Sequence, residues 1–191
     1  MQLPTIQPIL HTARLTLRPF DSHDIPAVTA LCGERDIASN TLHIPHPYTL
    51  DDARIWIGSH PDSYAAGKSA VFAITKRDDH TLVGGIGLTI DPQYNRAELG
   101  YWIGKPFWGN GFCSEAAPEI LRFGFDICKL NRIFATHMMR NPASGRIMEK
   151  AGMQREGILR QHVMKWGVYE DIAMYGMVGG ANEADRPSPR F

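Results

Sequence analysis

From residue 14 to residue 20 the chain alternates Leu15, Thr16, Leu17, Arg18, the pattern of a strand that buries one face. The period then changes. Asp21 and Ser22 offer N-caps for a helix reaching about residue 31, and Thr49 or Asp51 offers one for a second helix through Ala53, Ile57 and Tyr64. Strand patterns return at about 70–75, 82–90 and 97–103, with Asp78-Asp79 and Asp91-Pro92 as the turn signals between them. Ala117, Ile120, Leu121, Gly124 and Cys128 lie along one helical stripe, and Pro118 early in it predicts a displaced start or a kink, because proline removes a backbone donor. A strand at 132–137, a short helix at about 143–150 closed by Gly152, and a last pair of strands near 153–164 and 169–177 follow. Strands alternating with helices and ending in an antiparallel pair predict one mixed α/β sheet.

Composition narrows the class of protein. A chain of 191 residues, 43% hydrophobic and 21% charged, fits a single globular core rather than a fibre or a disordered chain. Its formal net charge of zero argues against a nucleic-acid binder working through a broad basic surface. No apolar run approaches the roughly 20 residues of a membrane span, and none forms a signal-peptide core, so the chain is expected in the cytoplasm. Cys32, Cys113 and Cys128 form no C-x-x-C pair and predict free thiols, not a disulfide framework or zinc site. From residue 179 the composition turns to Gly, Pro, Ser and charge, as in a loose tail.

The stretch from Pro106 to Glu115 carries the chemistry. Gly109 and Gly111 stand one residue apart between a strand-like run and an amphipathic helix. Glycine permits the tight turn and leaves the amides bare, and the helix adds unpaired N–H groups and its positive end, so a phosphate or pyrophosphate is the expected guest. Nucleotide hydrolysis fails on spacing. With Gly104 and Gly109 as the P-loop glycines, Asn110 and Gly111 occupy the Lys and Ser/Thr positions. A dinucleotide fingerprint fails too, because its third glycine falls on Ser114, or on Ile90 if it is started at Gly85 and Gly87.

The loop resembles the acyl-CoA pyrophosphate loop of the GNAT superfamily of N-acyltransferases, written Q/R-x-x-G-x-G/A, with Pro106 standing where that pattern has Gln or Arg. Further matches are Ala97-Glu98-Leu99-Gly100-Tyr101-Trp102-Ile103-Gly104 before the loop, and Asn141-Pro142-Ala143-Ser144 and Glu149-Lys150-Ala151-Gly152-Met153 after it. An early segment, Pro45-His46-Pro47-Tyr48 with Asp51, Asp52, Ala53, Trp56 and Ile57, adds to them. From about residue 14 to 177 the chain is similar to the ribosomal-protein N-terminal acetyltransferase branch. The resemblance implies a single α/β domain over residues 1–178, a mixed, mostly antiparallel sheet of about seven strands flanked by about four helices, ahead of the tail at 179–191. It implies acetyl-CoA as cosubstrate, no metal, and an amine acceptor of the protein N-terminal kind, in a monomer or homodimer that contacts neither nucleic acid nor membrane. Two alternatives stay open: a small-molecule amine as acceptor, and a CoA-binding module with weak or lost catalysis.

The resemblance also assigns roles. The backbone of Trp108, Gly109, Asn110, Gly111, Phe112, Cys113 and Ser114 would take the pyrophosphate. The strand ending at Ile103 would pair its amides with pantetheine and offer an N–H to the oxyanion, with Gly104 marking the splay that opens the cleft. Glu98 matches an acidic residue that some members use as base, directly or through water; the plainer alternative is a strand carboxylate paired to Arg96 or a lysine. In the N-x-x-S element, Asn141 would contact pantetheine and the Ser144 hydroxyl would stand near the sulfur as proton donor, although Asn141 ahead of Pro142 also reads as an N-cap. Many members carry a tyrosine acid four residues beyond that serine; Met148 stands there, which excludes a tyrosine acid from that site. An α-amine, with a pKa near ~7.7–8.0 against ~10.4 for lysine, is spared about 3.4 kcal/mol of deprotonation and so suits a modest base.

Other residues have competing readings. Cys113 is a nucleophile beside a helix N-terminus or a small residue beneath the loop. His43 and His46 are a metal pair in count but loop histidines by spacing. Tyr48, Trp56, Trp102 and Tyr169 line an acceptor pocket or belong to the core. Glu170 and Asp171 are placed to meet a substrate ammonium.

Overall fold

The computed structural model describes residues 3–180. Strands β1 (Leu10–His11) and β2 (Leu15–Pro19) precede four helices: α1 (Ile25–Cys32), α2 (Arg35–Asn40), α3 (Leu50–Gly58) and α4 (His60–Ala65). A meander of β3 (Ser69–Lys76), β4 (Leu82–Asp91) and β5 (Arg96–Ile103) follows, then α5 (Phe112–Arg122), β6 (Arg132–Met138), α6 (Pro142–Lys150) and the hairpin β7 (Gln154–Lys165) and β8 (Val168–Val178). They form one eight-stranded sheet in the order β1-β2-β3-β4-β5-β6-β8-β7. Neighbours are antiparallel except β5 and β6, which run parallel because the chain crosses over between them through α5. The architecture is the expected single α/β domain, with one strand more than counted from the pattern.

Each sheet face has its own core. Toward α5 and α6, Ala97, Leu99, Ile133 and Ala135 pack with Ala116, Ile120 and Met148. Toward α1 and α3, Trp102, Ala73 and Leu82 pack with Val28, Ala53 and Ile57. Successive residues of a strand face opposite ways, so β5 sends Ala97, Leu99 and Tyr101 to the first core and Glu98, Gly100 and Trp102 toward the second.

Several expectations change. Thr49, not Asp51, caps α3, through a capping box in which the Asp52 backbone donates to Thr49 Oγ1 and Asp52 Oδ2 accepts from the Thr49 backbone. The single helix expected through Tyr64 is broken after Gly58, and α4 restarts with Pro61 in its first turn. Strand β1 and helix α2 were not foreseen: each is too short to show a period. Pro118 does not displace the start of α5, which lies at Phe112; the proline sits inside it and deprives the Ser114 carbonyl of a donor. The stripe ending at Cys128 is α-helical only to Arg122 and finishes as a π turn over Phe123–Ile127. Of the expected tail, residues 181–191 lie outside the described residues. Among the described residues no helix is long and apolar enough to cross a membrane.

Candidate active site

The parallel pairing of β5 with β6 is brief: Arg96↔Arg132, Ala97↔Ile133 and Glu98↔Phe134, and there the ladder ends while both strands continue. Beyond Glu98 the strands part. The Gly104 N–H donates to the Val83 carbonyl at 2.9 Å, so alternate residues of β5, namely Trp102, Gly100 and Glu98, bond back to β4. Leu99, Tyr101 and Ile103 therefore turn their backbone groups the other way; the Leu99 N–H serves the last rung, at Phe134, and Tyr101 and Ile103 face the gap. The same alternation, anchored by Gly179 N–H to Asn131 O at 2.7 Å, turns the backbone of Thr136 and Met138 into the gap from β6. A row of unpaired amides between two strands is an extended site for an amide-bearing chain.

Gly104 does not make this fork. It remains paired to β4, and a β-carbon there would lie 2.6 Å from Leu31 Cδ2, so a larger residue would push the end of the Leu31 side chain aside. The fork opens five residues earlier by sequence position, after Glu98.

The glycine loop leads from the end of β5 into α5. Gly109 and Gly111 have φ of 79° and 77°, a left-handed backbone that side-chain-bearing residues rarely adopt. The loop carbonyls are drawn away by side chains: Trp108 Nε1 donates to Ile103 O at 2.6 Å, Asn110 Nδ2 to Phe107 O at 3.1 Å, and Arg14 Nη2 to Asn110 O at 3.1 Å. Glu115 N–H makes the first intrahelical bond, to Gly111 O at 3.0 Å, so Phe112, Cys113 and Ser114 present N–H groups with no intrahelical partner. What results is a bare-amide cradle on a positive helix end, joined to the row of β5 amides. Arg14, ion-paired to Glu115 at 2.7 Å, adds a cation at its rim that came from neither motif.

Cys113 belongs to the loop through its backbone alone. Its side chain is 4% exposed, and burial pushes the thiol well above its ordinary value, so the nucleophile reading is withdrawn.

Two side-chain hydrogen bonds span the fork, one on each face. Toward α1–α4, Thr136 Oγ1 donates to Glu98 Oε1 at 3.1 Å; the expected partner of a merely structural Glu98, Arg96, is bonded to Asp91 instead. Gly100 next to Glu98 is exposed, and a β-carbon built there meets nothing within 4 Å, so the floor beside the carboxylate is open. Toward α5 and α6, Tyr101 Oη lies 2.9 Å from both Ser144 Oγ and Ser144 O. Asn141 stands at the N-cap position of α6 but its side chain makes no capping bond, which leaves the amide free for a ligand. Met148 is 1% exposed, a core residue. Tyr101 lies within the matched stretch 97–104, which assigns it no role; only the packing of α6 against β5 brings it to Ser144. Beneath α6, His137 Nδ1–H donates to Met138 O at 2.9 Å, and its buried Nε2 has no hydrogen-bond partner among the described residues.

The other candidates fall away from the fork or are already bonded. Trp56 and Trp102 belong to the α1/α3 core, 6.4 Å apart by ring centroid, and Tyr169 is exposed. His43 and His46 are exposed, and no metal-ligating cluster occurs among the described residues. Glu170 accepts from Arg140 Nε at 2.6 Å and Asp171 from the Gln161 N–H at 2.8 Å. Arg140 also reaches Asn40 of α2 at 3.4 Å. Lys165, 7% exposed, donates to Leu42 O and Ile44 O, each at 3.1 Å. These cations tie the segment between α2 and α3 to the β7–β8 hairpin above the α1–α4 side of the fork.

Comparison with known proteins gives a consistent result. A family model described as "Acetyltransferase (GNAT) domain" matches residues 14–154. The chain is 33% identical over 172 residues to "Uncharacterized N-acetyltransferase YoaA" of Bacillus subtilis (strain 168), covering 90% of this chain and 97% of that protein. It is 24% identical over 160 residues to the "Ribosomal-protein-serine acetyltransferase" of Escherichia coli (strain K12), covering 83% and 88%. Among solved structures it is similar to RimL, the ribosomal L7/L12 alpha-N-protein acetyltransferase in complex with coenzyme A, with a TM-score of 0.84 and 20% identity over 92% of this chain and all of that one.

Proposed function

We propose that this chain, which belongs to the GNAT acetyltransferase family and is an acetyl-CoA-dependent N-acetyltransferase, acts on protein N-terminal α-amines and uses the fork between β5 and β6 as its reaction centre. The observation that carries the reading is the fork itself: unpaired β5 amides running from the glycine cradle to a carboxylate, Glu98, at the point where the strands part. The fit to a CoA-type ligand rests on chemistry present in the chain. The cradle suits a pyrophosphate, and the gap suits the amides of a pantetheine arm.

When bound, acetyl-CoA supplies an acyl group activated as a thioester. The N–H groups of Tyr101 and Ile103 hold the arm and offer hydrogen bonds to the acyl oxygen as charge builds on it. Asn141 holds the arm from the β6 side. Glu98, fixed by Thr136 and beside the open floor at Gly100, takes the proton of the attacking amine directly or through a water. Ser144 gives a proton to the departing sulfur.

The α-amine is favoured as acceptor because it needs little help to lose its proton, about 3.4 kcal/mol less than lysine, which suits a single carboxylate. The names of the E. coli relative and of RimL point the same way. Mass spectrometry of acetylation position on peptides offering both amines, beside a panel of polyamines and amino acids at matched concentration, tests it. The expected product is acetylated at the α-amine. Acetyl groups found mainly on lysine side chains, or on a small amine alone, overturn the acceptor assignment.

A further inference from the structure

Ser144 needs its hydroxyl proton aimed into the fork if it is to protonate sulfur, and the geometry around it allows that proton to point elsewhere. Tyr101 Oη is 2.9 Å from the Ser144 carbonyl oxygen and 2.9 Å from Ser144 Oγ. The carbonyl accepts only, so the pair has two arrangements. In one, Tyr101 donates to the carbonyl and Ser144 donates to Tyr101, which turns the serine proton away from the gap. In the other, Tyr101 donates to Ser144 Oγ and the serine proton is free to point into the gap. Rotation of the two O–H bonds, phenolic and seryl, interchanges them without moving a heavy atom. Tyr101 is held for this: its ring packs against the α5/α6 core, and its backbone lies in the row of amides lining the fork. Burial raises its phenol above the ordinary value, which keeps it protonated at neutral pH.

We propose that Tyr101 is a positioning residue for proton delivery, acting through Ser144. Its O–H donates to Ser144 Oγ, directs the serine proton into the fork, and stabilises Oγ as that proton leaves. The inference rests on the reading of Ser144 as the donor. As the C–N bond forms, the C–S bond breaks with its electron pair on sulfur, and sulfur takes the Ser144 proton. The amine gives its proton to Glu98, which passes it to water, and Ser144 is reprotonated from water. The net change is one proton moved from amine to thiol. One turn beyond Ser144 on α6 stands the buried Met148, and the phenol that reaches the serine comes instead from β5.

The test is a double-mutant cycle on Tyr101→Phe and Ser144→Ala. Thiol release would be followed with acetyl-CoA and a peptide whose only free amine is its N-terminus, with CoA affinity measured by calorimetry. Tyr101→Phe is expected to lower kcat about tenfold, the worth of one hydrogen bond to a developing charge. The KM for acetyl-CoA and the CoA affinity should stay within about a factor of two of wild type. In the Ser144→Ala background the same change should alter kcat by less than about twofold. Equal losses in both backgrounds mean that Tyr101 acts directly or only structurally, and overturn the inference. So does Tyr101→Phe at the wild-type rate while Ser144→Ala is slow, and this leaves the reading of Ser144 intact. Ser144→Ala at the wild-type rate removes that reading and the inference with it. Should the phenylalanine variant not fold, 3-fluorotyrosine at 101 keeps every contact and acidifies the phenol. The kcat should then change in the wild-type background and not in Ser144→Ala; an equal change in both backgrounds overturns the inference.

Discussion

Toward α5 and α6 the fork is bordered chiefly by backbone: the amides of β5, the glycine cradle and the first N–H groups of α5. Toward α1–α4 it is bordered by side chains, with Glu98 bonded to Thr136 and the α2–α3 segment and β7–β8 hairpin held down by Arg140 and Lys165. A site built from backbone is altered only by changes that alter the fold. One built from side chains and loops can be re-cut residue by residue, which suits it to the partner that varies. Under the proposed function, cosubstrate and acceptor meet physically different walls.

The sharpest way to break the comparison is Glu98→Gln, which keeps an oxygen to accept from Thr136 but removes the base. We expect kcat to fall by about 10²-fold or more, with CoA affinity unchanged by calorimetry. Activity near wild type would leave the α1–α4 wall without its chemical role. Gly111→Val attacks the other wall, since a side chain at φ 77° is strained and disturbs the cradle. Affinity for acetyl-CoA should fall about tenfold or more, measured against a melting temperature, and equal affinity would take the loop out of the binding site. Lys165→Met keeps the stem but loses both carbonyl contacts. It should raise the KM for the acceptor a few-fold and leave the KM for acetyl-CoA alone, so parallel rises in both would show that the two walls are not independent.

The smallest effect concerns stability. His60 packs edge-on to Trp56 with ring centroids 4.5 Å apart; neither ring nitrogen has a hydrogen-bond partner among the described residues, and burial lowers its pKa to about 4. Its native pKa lies below the unfolded value of about 6.5, so between these values the unfolded chain holds a proton that the folded chain does not. Stability is complete above about pH 6.5 and is lost as pH falls toward 4, by at most about 3 kcal/mol. As pH falls from 6.5 toward 4 the denaturant midpoint of wild type should drop more steeply than that of His60→Phe if His60 is the source of the loss, and the two should run parallel if it is not. Catalytic constants at neutral pH should be unchanged, because this histidine touches neither wall.

Much of the backbone wall could be read from the chain before folding was considered. Gly109 and Gly111 announce a left-handed turn because residues with side chains rarely take it, and alternation at Leu15 and Leu17 announces β2 because successive strand residues face opposite ways. These signals are local, carried by residues within a few positions of each other. The side-chain contacts on both faces had no such signal. Glu98 could be noticed, but its bond to Thr136 joins residues 38 apart, Tyr101 and Ser144 are 43 apart, and Lys165 meets Leu42 across 123. Gly104 does not mark the fork for the same reason: where β5 leaves β6 is set by the pairing of segments far apart in the chain, and Gly104 stays bonded to Val83. Periodicity and turn chemistry depend on near neighbours, and so are written along the chain. Which strands part, and which hydroxyl meets which carboxylate, depends on distant segments packing together, and exists only once they have.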